Sequence, residues 1–166
     1  MLLNLVEELH LAAPPEDVWK LLRDTPKFAG LLPGVESVQA REEAGAEAYD
    51  AIVHDKIGPF KVTLNLQLHV IETVEPKLLR ASLKGADAHS LNRVSGTLRA
   101  ELSVASASSG TTETLAEPGT QMRFEASVEV LGKLATLGAI PMKRRTTQLF
   151  GEFARNIREQ FAQENK

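Results

Sequence analysis

Cysteine is absent from the 166-residue sequence. Disulfides, thiolate metal sites, iron–sulfur clusters and cysteine nucleophiles all need a thiol, so each of them is excluded. A reducing compartment is compatible with this absence. The sequence also lacks the G-x-S-x-G motif of serine hydrolases, the P-loop and the G-x-G-x-x-G dinucleotide fingerprint. Nucleophilic hydrolysis and nucleotide binding therefore have no support from motifs.

Long apolar runs and an excess of basic charge are missing as well. No segment approaches the roughly 20 apolar residues of a transmembrane helix, and residues 1–8 lack the basic and apolar regions of a secretory signal. We therefore expect a cytoplasmic protein, with at most a peripheral position at the inner face of the membrane. The 19 basic and 22 acidic residues give a net charge of −3, which argues against broad nucleic-acid binding because that needs a basic field.

Length and composition are typical of a single globular domain, which we place at residues 1–166. The hydrophobic share is 43% and the charged share is 25%, as in ordinary soluble proteins. A domain of this size buries roughly 70% of the surface that its unfolded chain exposes. A sizeable apolar core is therefore expected.

Alternation of apolar and polar residues predicts a series of β-strands. The clearest case is residues 60–70, where apolar residues at even positions alternate strictly with polar residues at odd positions. Similar patterns predict strands over Leu3–Leu11, Val35–Ala40, Ala48–Ile57, Leu79–Leu83, Val94–Val104 and Met122–Val130. Most connections are short, which favours an antiparallel meander. Residues Ser106–Gly119 are rich in serine, threonine and glycine and are predicted to form a long hairpin connection.

Helical signals follow the first strand and close the sequence. Pro15 and the acidic residues after it suit a first helical turn, and a short second helix is predicted through Phe28. After Gly132 the spacing of apolar residues changes from two to about 3.6. Gly138 and Pro141 are predicted to divide a short Gly132–Leu137 segment from a main helix over Met142–Phe161. This helix is the only element long enough to cover the apolar face of the meander.

Several local motifs occur in a recognisable order along these elements. They are Pro15–Asp24 followed by Leu32–Val35, then Gly58-Pro59-Phe60, then Gly132–Gly138, and finally Phe150 with Phe153. Over about residues 2–161 this order resembles the START-like (SRPBCC) helix-grip superfamily, and more narrowly the carbon monoxide dehydrogenase subunit (CoxG) family. Two features depart from the CoxG pattern: the longer Ser106–Gly119 connection and Pro141 early in the last helix.

The resemblance implies an α+β helix-grip fold. A curved antiparallel sheet of about seven strands would carry the long C-terminal helix across it, with one or two short helices after the first strand. START-like domains hold apolar ligands between helix and sheet. Proteins similar to CoxG are linked to the maturation, membrane recruitment or quinone supply of molybdenum-containing CO dehydrogenase-type enzymes, and are not themselves the redox catalyst.

Apolar residues of the strands and of the last helix are candidates for a ligand cavity, although each can equally be plain core. A helix that spans a strongly curved sheet cannot fill the whole concavity, and ligand pockets are mostly apolar. The candidate lining is Phe60, Leu64, Leu98, Phe124, Met142, Leu149 and Phe153. The four histidines (His10, His54, His69 and His89) lack compact ligand spacing, so we expect neither a metal nor another cofactor.

Two groups of charged residues are candidate contacts. Glu7 and Asp55 have inward strand parity, and a carboxylate that faces an apolar cavity would have a raised pKa and serve as a polar anchor or a general acid–base. The alternative is that each lies near a strand end and reaches water. Lys143, Arg144 and Arg145 form a basic run that is a candidate contact with anionic lipid or an acidic partner, or else a solvated helix face.

The leading functional hypothesis is a non-enzymatic binding protein with an apolar cavity for a lipid-like or quinone-like ligand. It would act as an accessory factor for a membrane-associated oxidoreductase of the CO dehydrogenase type. Two alternatives stay open. One is a START-like enzyme, such as a cyclase, dehydratase or hydrolase of a hydrophobic small molecule, which needs inward polar groups clustered at one point. The other is a protein–protein adaptor with a solid core and no ligand.

Overall fold

Seven antiparallel strands form one sheet in the computed structural model, which describes residues 1–89, 91–105 and 119–164. The strands are β1 (Leu2–Leu11), β2 (Val35–Arg41), β3 (Glu47–Ile57), β4 (Phe60–Val74), β5 (Leu78–Ala86), β6 (Asn92–Ala105) and β7 (Gly119–Gly132). Their spatial order is β1-β7-β6-β5-β4-β3-β2. This confirms the predicted meander, to which β1 is added beside β7. The predicted Ser106–Gly119 connection lies outside the described residues, except for Gly119, which begins β7.

Two short helices follow β1, namely α1 (Pro15–Arg23) and α2 (Thr25–Ala29). α1 begins with proline, has acidic residues in its first turn and has basic residues in its last turn. The charged residues oppose the charge of the corresponding ends of the helix dipole, and proline suits the first turn. The Asp24 side chain accepts a hydrogen bond of 3.3 Å from the backbone N–H of Lys27 and so caps the start of α2.

The C-terminal region consists of a 3₁₀ turn (Lys133–Leu137) and the 26-residue helix α3 (Ala139–Glu164). The predicted interruption lies at Gly138, whose φ of 83° is left-handed and favours glycine. Pro141 does not interrupt the helix, which corrects the predicted boundary at Met142. It is the third residue of α3, where a helix N–H has no intrahelical acceptor to lose.

Buried side chains on the concave face of the sheet form two separate clusters. The first cluster joins α1 and the C-terminal half of α3 to β1, β6 and β7, and contains Leu9, Leu11, Ala13, Val18, Trp19, Leu21, Leu22, Ala100, Leu102, Met122, Phe153, Ala154, Ile157 and Phe161. The second cluster surrounds the start of α3 and contains Leu3, Val62, Val130, Leu134 and Met142. Burial of apolar surface in these clusters fixes the two ends of α3 to the sheet.

Gly132 allows the chain to turn from β7 into the 3₁₀ turn, and it generates a first prediction. Its φ is 104°, and a Cβ atom at this position would collide with the carbonyl oxygen of Leu91. We expect Gly132→Ala to lower the free energy of unfolding by about 2–3 kcal/mol, measured by urea denaturation, because strained backbone and a steric clash act together.

Gly151 provides the matched control. It lies within α3, and a Cβ atom there would meet nothing within 4 Å. Gly151→Ala is expected to raise the free energy of unfolding by about 0.5–1 kcal/mol, because alanine is the better helix former. Similar losses for the two variants would contradict this account of Gly132.

Candidate ligand cavity

An apolar band crosses the concave face between the two clusters and belongs to neither of them. Strand register places Leu5 beside Ala126, Ala126 beside Leu98, and Leu98 beside Ala81. The band comprises Leu5, Leu66, Leu68, Ala81, Leu83, Leu98 and Ala126. All seven are partly exposed although they lie on the concave face. Unfilled space, called the hollow below, therefore separates α3 from this part of the sheet.

Residues further along the same face show that the hollow is a local feature. On β6, Ala100 and Leu102 are 5% and 3% exposed, whereas Leu98 is partly exposed. On β7, Met122 is fully buried, whereas Ala126 is partly exposed. Side chains of the same type and face thus change from packed to accessible within one or two residue pairs.

Helix α3 bridges the concavity and supplies the opposite wall. It contacts β1 and β3, which lie towards the two sides of the sheet. Leu149 and Phe150 of α3 are partly exposed. Between the hollow and the first cluster stands a group of phenylalanine rings, with centroid distances of 5.1 Å for Phe28–Phe153 and 5.6 Å for Phe124–Phe150. These edge-to-face contacts are a favourable aromatic geometry.

The seven residues proposed from sequence as cavity lining are distributed around the hollow. Leu98 and Leu149 border it directly and belong to neither cluster. Phe124 and Phe153 belong to the aromatic group. Phe60, Leu64 and Met142 pack in or against the second cluster.

The floor of the hollow was not among the proposed lining residues, apart from Leu98. Ala81 and Ala126 attract little attention as small residues, yet their strand parity already predicted an inward position. The signal that singles them out is cross-strand register, since it aligns them with Leu98. Register is set by pairing along the whole sheet and is not contained in one strand's pattern.

Asp55 and Arg145 form a bidentate ion pair between β3 and α3. Arg145 donates from Nη2 to Asp55 Oδ1 at 2.7 Å and from Nε to Oδ2 at 3.1 Å. The side chains of Asp55 and Arg145 are 15% and 33% exposed. The hydrogen bond to Asp55 raises the pKa of the Arg145 guanidinium above its usual value.

This pair corrects two expectations from the sequence. Asp55 does not extend into water from a strand end, because α3 covers it with a cation. Arg145 is not part of an exposed basic run, because its guanidinium is bound to Asp55. Lys143 and Arg144 are exposed, as expected.

Glu7 lies on the other side of α3. It faces inward, is partly exposed and accepts a long hydrogen bond of 3.5 Å from the Thr147 hydroxyl. Asp55 and Glu7 therefore contact α3 from β3 and β1 respectively. The two carboxylates hold opposite sides of one helix and do not converge on a common point.

A third inward polar group, on α1 and β3, was not predicted. Arg23 donates from its two terminal nitrogens to Glu47 at 2.6 and 3.1 Å, and the Tyr49 hydroxyl donates to Glu47 Oε2 at 2.9 Å. The hydrogen bond from Arg23 lowers the pKa of Glu47, and burial raises the pKa of Tyr49. The sequence patterns placed Glu47 in a turn, which hid its inward parity.

The histidines contact single acidic residues rather than each other. His54 lies 2.9 Å from Glu36, and His69 lies 2.9 Å from Glu43. Within residues 1–89, 91–105 and 119–164, no three histidine or acidic side chains converge as metal ligands do. No helix in this part of the chain is both long and apolar enough to cross a membrane.

The fold and the helix-spanned hollow agree with a comparison against known families. The model of the carbon monoxide dehydrogenase subunit family CoxG matches residues 8–162. The chain belongs to the CoxG family. A search of the curated proteins finds no significant match.

Solved structures similar to this CoxG-family chain share its START-like fold. A conserved protein from Geobacillus kaustophilus has a TM-score of 0.76 at 20% identity, covering 98% of this chain and 96% of its own. A START superfamily protein from Mycobacterium smegmatis has a TM-score of 0.64 at 14% identity, covering 96% and 97%. The Zhui aromatase/cyclase from Streptomyces sp. R1128 has a TM-score of 0.52 at 16% identity, covering 96% and 90%. At these identities the likeness establishes the fold and no more.

The hollow generates a prediction about packing. Ala126→Leu should change the free energy of unfolding by less than about 1 kcal/mol, because the added methyl groups enter unfilled space. Ala100→Leu on the adjacent strand should lower it by about 1–3 kcal/mol, because that alanine is tightly packed. Urea denaturation of the two variants measures the difference, and equal losses would show that the band is packed core.

Proposed function

We propose that this CoxG-family protein holds a predominantly apolar small molecule, lipid-like or quinone-like, in the hollow. It would serve there as a non-enzymatic accessory factor for a CO dehydrogenase-type molybdenum oxidoreductase. The observation that carries the ligand is the partly exposed apolar band between two packed clusters. The link to the oxidoreductase rests on the description of the family.

The energetics of the hollow favour an apolar occupant. Apolar surface left in contact with water is unfavourable by roughly 25 cal/mol per Å². The floor formed by β4 to β7 presents leucine and alanine side chains, and a ligand that covers them recovers this free energy. Pockets with mostly apolar walls and few polar groups are the usual form of small-molecule sites.

The arrangement of polar groups supports binding rather than chemistry. Glu47 and Asp55 stand eight positions apart on β3, a distance of about 26 Å at roughly 3.3 Å per residue. Each carboxylate is engaged by an arginine. General acid–base catalysis needs groups within hydrogen-bonding reach of the same reacting atoms, and these two are too far apart to act together.

Ligand binding is tested by mass spectrometry of an organic extract of freshly purified protein and by titration with decylubiquinone. Trp19, the only tryptophan, belongs to the first cluster, so quenching of its fluorescence reports a bound quinone. Ala126→Phe should fill the hollow and weaken binding by at least about tenfold. Thr97→Phe, exposed on the outer face of β6, is the control and should bind like the wild type.

The outcomes separate a carrier from an adaptor. A co-purified lipid or quinone, together with the loss of binding in Ala126→Phe, supports the proposal. A wild-type protein that binds no apolar probe and yields no extractable molecule would instead indicate the adaptor without a ligand.

An enzyme acting on a hydrophobic small molecule is the second candidate. It is favoured by the structural likeness to the protein described as the Zhui aromatase/cyclase. A carrier returns its bound molecule unchanged, whereas an enzyme alters it. Comparing the mass of the recovered ligand before and after incubation therefore distinguishes the two functions.

We also propose that the surface around the start of α3 contacts anionic lipid. Ile140 and Leu131 are 72% and 50% exposed. Lys133, Lys143 and Arg144 are exposed in the same stretch of chain. Exposed apolar residues flanked by cations suit the interface of an anionic bilayer.

Liposome co-sedimentation tests this surface. Lys143→Glu/Arg144→Glu should reduce partitioning onto vesicles containing phosphatidylserine by at least about tenfold, because each cation contributes about 1 kcal/mol near an anionic surface. Arg145 is left intact because its change would break the pair with Asp55. Lys20→Glu/Lys77→Glu alters the net charge equally at exposed positions elsewhere. Equal sedimentation of the two double variants would remove the proposed surface.

A further inference from the structure

Arg145 has hydrogen-bonding capacity beyond its contact with Asp55. A guanidinium carries five N–H groups. Nε and one N–H of Nη2 are directed to Asp55, and Nη1 donates to Gln148 Oε1 at 3.3 Å. Among the described residues, the remaining N–H of Nη1 and that of Nη2 have no acceptor. Two donors are thus held in place by the ion pair without being used by it.

The surroundings of these donors are apolar and adjoin the hollow. On α3, Arg145 lies one turn after Met142 of the second cluster and one turn before Leu149, which borders the hollow. On β3, Asp55 lies between the inward-facing Val53 and Ile57. The guanidinium keeps 33% of its surface exposed.

The countercharge decides which ligand group suits these donors. Asp55 neutralises Arg145, so the pair as a whole carries no net charge. A carboxylate or phosphate brought beside it would lie close to the Asp55 carboxylate and be repelled. An uncharged oxygen acceptor gains a charge-assisted hydrogen bond without that repulsion.

We propose that Arg145 is the polar recognition point of the hollow. It donates to a carbonyl oxygen of a ketone, quinone or ester whose remaining atoms occupy the apolar band, and Asp55 positions the guanidinium and excludes anionic head groups. This inference rests on the proposed function, since it requires a ligand in the hollow.

The other inward polar groups have less to offer a ligand. Arg23 directs both terminal nitrogens to Glu47, and Tyr49 gives its only hydroxyl proton to the same carboxylate. Glu7 is an acceptor and already contacts Thr147. Arg145 is therefore the inward group on the described part of α3 that combines a fixed position with unused donors.

The test compares three probes of similar length: 2-tridecanone, tridecane and dodecanoate. Each competes at pH 7 with the neutral fluorophore N-phenyl-1-naphthylamine. The wild type should prefer the ketone over the alkane by about tenfold. Arg145→Met should reduce this preference to within about twofold. Asp55→Asn should shift the dodecanoate-to-ketone ratio towards dodecanoate by about tenfold, because the arginine charge is then uncompensated.

Ratios between probes cancel general losses of affinity that a less stable variant shows. The double variant Asp55→Asn/Arg145→Met removes both charges together, so the shift towards dodecanoate should disappear. Arg41→Met and Asp50→Asn alter a second arginine–aspartate pair, whose N···O distance is 3.2 Å and whose side chains are 38% and 50% exposed. Both control variants should keep the wild-type ratios.

Two results would overturn the inference. One is a ketone preference that survives in Arg145→Met, and the other is an unchanged dodecanoate ratio in Asp55→Asn; either leaves the proposed cavity intact. Failure of every probe to displace the fluorophore from the wild type would instead overturn the proposed function together with this inference.

Discussion

One helix has to cover the concave face of a seven-stranded sheet, and the widths do not match. Seven strands about 4.8 Å apart extend roughly 29 Å across, whereas a helix with its side chains is only about 10–12 Å wide. The 26 residues of α3 span about 39 Å, so the helix has length to spare but not width. It packs tightly at its two ends, through the first and second clusters, and leaves the middle of the sheet partly uncovered. The hollow is a geometric consequence of this mismatch.

The inward charges make sense within the same geometry. They occur where α3 or α1 meets a strand: Glu7 with Thr147, Asp55 with Arg145, and Glu47 with Arg23. A partly buried ion pair is weak support for stability, because loss of solvation offsets much of the attraction. It does fix the distance and register between the groups that it joins. These contacts therefore hold the helices at defined positions over a cavity whose floor has no polar groups to do so.

Local patterns predicted most of the fold, and non-local contacts account for what they missed. Strict alternation over Phe60–Val70 identified β4 because one face of that strand is buried and the other is wet. Leu98 and Leu149 were placed correctly at the hollow, but the whole band depends on register across several strand pairs, which no single strand encodes. Arg145 was grouped with Lys143 and Arg144 by adjacency in sequence. Its spacing of three from Met142 and four to Leu149 was the helical signal that it faces inward, and adjacent cations concealed it.

An occupied hollow would complete the core rather than add to its outside. The first and second clusters pack on different parts of the sheet, and the band between them is the surface that a ligand would cover. A molecule that fills this space contacts both clusters at once and links the two ends of α3 through a continuous apolar interior. Binding to the folded state alone raises stability in proportion to the logarithm of ligand concentration over Kd. Retention of the ligand and integrity of the fold are then aspects of the same packing, which suits a protein that holds a water-insoluble molecule until another surface accepts it.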